Sequence, residues 1–247
     1  MQAFPYDLEN AMTLDDSTQA FSSERIRESA SGSMRGGDIH TRVHDLTLLA
    51  LRSRRFDRRE IRDVVHAISE GITLGAEQSR AELRHSRAEA FRGLDEALRK
   101  STEAGQTALR QLAATGRDFS ERELKHALAD LRKLEEDFLS TVEQVAEGAN
   151  ERVRPELRDI LTRARHGGTQ TGRQIAGMMA EFAQRFSAAS LDVALAGLEA
   201  ATEFSARFAQ AAGGVLAGIA DAIAERRSWE IEEPATHKPA EPQSRIF

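Results

Sequence analysis

Cysteine is absent from the 247-residue chain, and tryptophan and tyrosine occur once each. Without cysteine the protein has no disulfide, no thiolate zinc site and no cysteine nucleophile. Aromatic residues make up only 5% of the sequence, which argues against most β-sandwiches and against surfaces that stack nucleic-acid bases. Alanine, leucine, arginine and glutamate dominate instead, and all four favour helices. The composition therefore predicts an all-α protein.

Proline is also rare. Four of the five prolines lie near the ends of the chain, at Pro5, Pro234, Pro239 and Pro242. Only Pro155 interrupts the stretch between them, a spacing that favours long helices. The apolar pattern keeps its phase across Pro155, so the sequence predicts a kink there rather than a break. Residues 1–40, rich in Ser, Gly and acids, are predicted to be disordered, and residues 228–247 to form a flexible acidic tail with several prolines.

Excess charge of one sign is missing from the body of the chain. The net charge is −6, and all of this excess lies before residue 41 and after residue 227. A balanced body lacks the electrostatic footprint of a nucleic-acid-binding protein. No basic region followed by an apolar run opens the chain, and the uncharged run Phe208–Ala220 is shorter than the roughly 20 residues of a spanning helix. We expect a cytoplasmic protein with no transmembrane segment and no nucleic-acid partner.

Apolar residues at helical spacing run through residues 41–227 and predict four helices. A short helix is expected over about 41–53, and three long helices over about 58–115, 120–165 and 173–226. Gly116 could end the first long helix, but the pattern leaves open whether the chain reverses there.

Two helix boundaries have specific signals. Asp57 followed by Glu60 resembles a capping box that opens the first long helix. The segment His166–Gly172 holds three glycines and predicts a turn before the last helix. Either Thr169 or Thr171 can cap the helix that follows this turn.

An eleven-residue repeat runs through the predicted helices. In the last helix one row of the repeat is Ile175, Phe186, Gly197, Phe208 and Ile219. Eleven residues in three turns is about 3.67 residues per turn, close to an unstrained α-helix. Each apolar stripe should therefore run almost straight along its helix. We predict an elongated antiparallel bundle of about three long amphipathic helices, with a short N-terminal helix and disordered ends.

Motifs for catalysis, metal binding and cofactor binding are missing from the sequence. His40 and His44 have the i, i+4 spacing of metal ligands, with Asp45 beside them, but a solvated pair is the favoured interpretation. The basic cluster Arg52–Glu60 is predicted to be a helix junction with Phe56 buried and the arginines in water, with contact to an anionic partner as the alternative. No catalytic, metal-binding or cofactor-binding residue is predicted, and no cofactor or enzymatic activity is expected.

The last predicted helix has few charges and four phenylalanines. It contains the candidate stripe for surface binding or oligomerisation: Phe182, Phe186, Val193, Phe204, Phe208, Val215 and Ile219. The alternative is that this helix is the central and most buried one of the bundle. Gly214 and Gly218 have small-xxx-small spacing, which permits close approach of a second helix.

Taken together, the long alanine-rich, proline-poor helices with eleven-residue stripes and the Phe/Ala/Gly-rich last helix resemble the bacterial phasins. The resemblance covers about residues 58–226 and is one of texture. Phasins coat polyhydroxyalkanoate storage granules and are not known as enzymes, so the resemblance implies a granule-surface role and homo-oligomers. The segment Asp45–Glu77 is similar instead to a family of uncharacterised bacterial helical proteins.

Two functional hypotheses follow. The first is a non-enzymatic amphipathic helical coat or scaffold protein of an intracellular hydrophobic inclusion, which binds the granule or a neutral lipid surface. The alternative is a cytosolic coiled-coil oligomerisation or interaction module, whose stripes stay inside a homo-oligomer and never meet lipid.

Overall fold

The computed structural model describes residues 22–35, 37–78, 84–115, 121–185 and 205–232, and within these ranges the chain forms nine helices and no strand. The helices are α1 (Ser23–Ser33), α2 (Ile39–Arg52), α3 (Arg58–Gln78), α4 (Arg84–Thr115), α5 (Glu121–Arg132), α6 (Leu134–Gly148), α7 (Arg154–Gly167), α8 (Gln170–Arg185) and α9 (Ala206–Glu232). The all-α prediction is confirmed. The long helices of the predicted bundle are divided into shorter ones that fold back on each other.

Helix α4 lies at the centre of the fold. It has 32 residues, about 48 Å at 1.5 Å per residue, and it contacts α2, α3, α5, α8 and α9. Alanine or glycine occupies six of its 14 buried positions: Ala90, Gly93, Ala97, Ala104, Gly105 and Ala108. Small side chains bring helix axes close together, so several neighbours can share one central helix. One of the two sequence-based interpretations placed the last helix, not α4, at the centre of the bundle.

The predicted disorder of residues 1–40 is wrong from residue 22 onward, where α1 forms and packs against α3. Ser22 caps α1 by accepting the N–H of Arg25 at 3.4 Å. The buried side chains of Ile26, Ala30 and Met34 recur at helical spacing. The Ser- and Gly-rich composition masked this short apolar stripe. Residues 1–21 lie outside the described residues.

The predicted single helix over 58–115 is wrong. Asp130 Oδ1 lies 3.6 Å from Arg58 Nη1, and the side chain of the next residue, Leu131, lies 3.1 Å from the place of a Cβ on Gly105. A straight helix would separate Arg58 from Gly105 by about 70 Å. The chain therefore doubles back between α3 and α4. The sequence left open whether the chain reverses at Gly116. The position of Leu131 beside Gly105 requires a reversal between α4 and α5.

The predicted kink at Pro155 is a full reversal between α6 and α7. Arg165 of α7 donates to Glu143 of α6 at 2.6 Å, although about 33 Å would separate them on one helix. Asn150 makes the turn, because its Oδ1 accepts the N–H groups of Arg152 and Val153 at 3.1 Å each. Proline then fits in the first turn of α7, where its missing N–H costs nothing. A turn at residue 133 also interrupts the predicted helix, between α5 and α6.

The predicted helix over 173–226 is likewise two helices in the described residues. Glu181 of α8 accepts from Arg110 Nε at 2.7 Å, and the ring of Phe208 in α9 lies 3.5 Å from the Cβ position of Gly105. Residues 181 and 208 would be about 40 Å apart on one helix, but here both lie against the same part of α4. Residues 186–204 are outside the described residues.

The turn predicted at residues 166–172 is confirmed. Helix α7 ends at Gly167, and Gly168 has a φ of 73°, which glycine adopts without strain. Thr169 caps α8, because its Oγ1 accepts the N–H of Gly172 at 2.8 Å. No helix among the described residues is both long enough and apolar enough to cross a membrane.

The close packing of α1 on α3 gives a first prediction. A Cβ on Gly71 would overlap the carbonyl oxygen of Arg27 and lie 2.6 Å from Ala30 Cβ. We expect Gly71→Ala to lower the free energy of unfolding by about 1–3 kcal/mol in urea titrations, because backbone has to move. Gly177→Ala is the matched control, since nothing lies within 4 Å of its Cβ position, and it should be neutral or stabilise by up to about 1 kcal/mol. Equal effects of the two substitutions would contradict the docking of α1.

Candidate functional site

The predicted stripe is divided between the core and its margin. Phe182 and Phe208 are 0% exposed, and Val215 and Ile219 are half-buried against the core. The other three positions of the stripe, Phe186, Val193 and Phe204, lie outside the described residues. In this conformation the described part of the stripe faces protein.

We call α8 and α9 the C-terminal layer. Phe208 packs edge-on against Phe56, with ring centroids 5.9 Å apart and an interplanar angle of 86°, a favourable aromatic geometry. Asp221 pairs with Arg52 of α2. The buried face of α9 is otherwise small and aliphatic, with Ala209, Ala212, Leu216 and Ala220. Apolar contacts therefore make up most of the described interface between α9 and the body.

Polar contacts join α8 to α4. Glu181 accepts from Gln106 Nε2 at 2.5 Å and from Arg110, and this hydrogen bond raises the pKa of Arg110. At the other end of α8, Asp95 accepts the backbone N–H groups of Gln170 and Thr171 at 2.7 and 3.0 Å. A carboxylate at a helix N-terminus is stabilised by the free N–H groups and the helix dipole. Helix α8 is therefore held at both ends by side chains of α4.

A charged cluster lies where α3 begins. Arg58 is 13% exposed and donates to Asp137 Oδ2 from Nε at 3.0 Å and from Nη2 at 2.7 Å. Asp57 caps α3, because its Oδ1 accepts the N–H of Arg59 at 2.7 Å. Asp130, 2% exposed, completes the cluster. Burial of Phe56 confirms the prediction of a helix junction. The prediction of solvated arginines is wrong for Arg58, because Arg58 pairs with Asp130 of α5 and Asp137 of α6, which lie far away in the sequence.

Burial shifts the protonation of this cluster. Desolvation raises the pKa of Asp130 from the usual 3.8 to about 6, against the attraction of Arg58 and with the repulsion of Asp57 and Asp137. A carboxyl group of this kind takes up a proton in mildly acidic solution. Over the residues that the structure describes, no group of three or more His, Cys, Asp or Glu side chains could hold a metal ion.

His40 and His44 form a stacked pair rather than the predicted solvated pair. Their rings are 6.4 Å apart and nearly parallel at 9°, and the side chains are 21% and 12% exposed. His40 contacts Glu96 of α4 at 3.1 Å, and His44 contacts Asp45 at 3.0 Å. Gly93 explains the burial, since a Cβ there would overlap the carbonyl oxygen of His40 and push α2 away from α4.

One family model matches the chain, over residues 16–225, and its description is "Family of unknown function (DUF6781)". The chain belongs to this family. The match begins before α1 and ends within α9, so the family sequence includes α1 to α8 and most of α9. No curated protein and no solved structure matches the chain.

The charged cluster gives a second prediction. Between pH 3.8 and about 6 the folded chain holds a proton on Asp130 that the unfolded chain has released, so the free energy of unfolding should fall as the pH rises through this window. In Asp130→Asn this fall, on the order of 1–3 kcal/mol, should disappear from urea titrations between pH 4 and pH 7. Glu136→Gln, an exposed change on α6, is the control and should keep the wild-type profile. Parallel profiles for wild type and Asp130→Asn would contradict the assignment.

Proposed function

We propose that the protein is a non-enzymatic helical coat or scaffold protein of an intracellular hydrophobic inclusion, which it binds through the inner faces of the C-terminal layer. The observation that carries the proposal is the chemistry of α9, whose interface with the body is mainly small aliphatic side chains and the Phe208 ring. The α9 face can exchange protein contacts for an apolar surface without stranding buried charges, whereas release of α8 also breaks the contacts of Glu181 and Asp95 that join α8 to α4. The resemblance to phasins supports the same function.

The same two phenylalanine rings are buried in the closed fold and on an apolar surface. Phe182 and Phe208 are fully buried in the closed fold. Transfer of each ring from water to an apolar surface would contribute about 1.5–3 kcal/mol to the free energy of binding. Opening in water would lose this energy, so the closed form should predominate there. On a particle the same residues would be buried again, and attachment would be stable yet reversible.

The rest of the fold can persist when the layer opens. Polar links that do not involve α8 or α9 join the remaining helices, such as those from Arg58 to Asp137 and from Arg87 to Glu156. Arg152 adds a third link by donating to the carbonyl oxygens of Ala76 and Glu77 at 3.3 and 2.8 Å. The body formed by α1–α7 would then remain as the outer part of the coat.

The second candidate function is a cytosolic interaction module that forms homo-oligomers. The observation in its favour is the outward face of α9, where Gly214 and Gly218 are exposed and have open space at their Cβ positions. A second helix could approach closely there while Phe182 and Phe208 stay in the core.

A cross-link across the interface of α9 tests the coat function. The Cβ position of Gly213 lies 3.8 Å from Phe56 Cβ, close to the mean Cβ–Cβ separation of about 3.8 Å in disulfides. Because the chain has no cysteine, Phe56→Cys with Gly213→Cys would form a single defined bridge. We expect wild type to co-float with neutral-lipid particles and the oxidised double variant to lose at least about four-fifths of this binding, since a bridge closes the layer.

The same variant provides its own control. Reduction with dithiothreitol should restore co-flotation, which separates closure of the layer from any loss of packing at Phe56. Oxidised protein that floats like wild type would contradict opening of the layer. A wild-type chain that forms a stable oligomer and ignores the particles would instead favour the interaction module.

A further inference from the structure

An apolar groove lies between α4, α6 and α7, away from the C-terminal layer's contact with α2. Its volume is about 180 Å³. The floor is formed by well-buried apolar side chains, of which Phe91, Phe138, Val142 and Leu161 are each at most 6% exposed. Helix α7 packs chiefly against α6, so the space between α7 and α4 remains open.

Polar contacts at both ends hold this space apart. At one end Arg87 of α4 pairs with Glu156 of α7, and both side chains are largely buried. At the other end Asp95 accepts the backbone N–H groups of Gln170 and Thr171, and it also accepts the hydroxyl of Thr171 at 2.8 Å. A second cleft shares Ala88, Ile160 and Arg163 with the groove and continues it toward Glu156. The groove is thus fixed by the fold at each end.

Each lip of the groove carries an arginine. Arg92 of α4 and Arg163 of α7 line it from opposite sides, with side chains 60% and 67% exposed. Each guanidinium pairs at 3.0 Å with a carboxylate of its own helix, Glu89 or Asp159. Exposed pairs of this kind are worth about 0–1 kcal/mol, so either arginine can turn to a ligand at little cost.

The carboxylate in the lining does not oppose an anionic ligand strongly. Asp95 already accepts two backbone N–H groups and one hydroxyl from the start of α8, and its charge is compensated by the helix N-terminus. The groove therefore combines an apolar floor with two guanidinium groups that can reach its mouth.

We propose that this groove binds a small monomeric amphiphile with an alkyl chain and a carboxylate. The chain lies over Phe91 and Val142, and the carboxylate lies between Arg92 and Arg163, because guanidinium groups bind carboxylates with paired hydrogen bonds. The volume limits the ligand to a small molecule, since a cavity of about 150 Å³ holds one benzene molecule and the groove and the cleft that continues it have volumes of about 180 and 240 Å³. A short alkyl chain fits this space, and a helix does not.

Octanoate added to the full chain tests the proposal. Methyl NMR should detect saturable shifts at Val142, Ile160 and Leu161, which line the groove. Arg92→Gln and Arg163→Gln should each weaken the Kd at least about threefold, and Ala164→Phe, which fills the half-buried lining, should abolish the shifts. Arg158→Gln, an exposed change on α7 outside the lining, is the matched control and should bind like wild type.

The sign of the ligand charge is the second arm of the test. Octylammonium should bind at least about tenfold more weakly than octanoate, because the two arginines repel it. Equal binding of the two ligands, shifts confined to residues of the C-terminal layer, or no saturable shift at all would each overturn the proposal. The octanoate experiment uses the closed protein without particles, and the floor of the groove and both arginines belong to α4, α6 and α7, so its outcome is distinguishable from that of the particle-binding experiment.

Discussion

The small side chains of α4 are the constraint on which the rest of the structure depends. Gly93 admits α2 close enough to bury the paired histidines, and Gly105 lies beneath both Leu131 of α5 and Phe208 of α9. Interaxial distance follows side-chain size at the contact, so larger residues here would separate several helix pairs at once. With small residues along its length, one helix serves as a shared centre for five neighbours.

The sequence predicts the helices well and their path poorly. The helical class, the turn after α7, the cap at Asp57 and the burial of Phe56 were all predicted from local signals, and the structure has each of them. The reversals between α3 and α4, α4 and α5, and α6 and α7 were not predicted as such. An apolar stripe that keeps its phase across a turn fits a straight helix and a hairpin equally well, so only the partners of each stripe decide between them.

The candidate sites likewise depend on partners that are distant in the sequence. The buried cluster around Arg58 brings together carboxylates from α5 and α6 that lie over seventy positions away in the chain. Nothing local to Arg58 marks those partners. The phenylalanine stripe had two interpretations from the start, and the closed fold uses Phe182 and Phe208 as core. The proposed coat function therefore requires a second, open arrangement of α8 and α9.

Pulsed electron spin resonance on the full chain tests this opening most directly, because a cysteine-free protein accepts labels only where cysteines are introduced. One label pair joins the exposed positions Gly214 of α9 and Leu49 of α2, and a control pair joins Leu49 to the exposed Leu74 of α3. On neutral-lipid particles the first distance should lengthen by about 10 Å or more, the width of a helix with its side chains, while the control distance stays constant. An unchanged first distance in particle-bound protein, or a lengthening of both, would contradict the account.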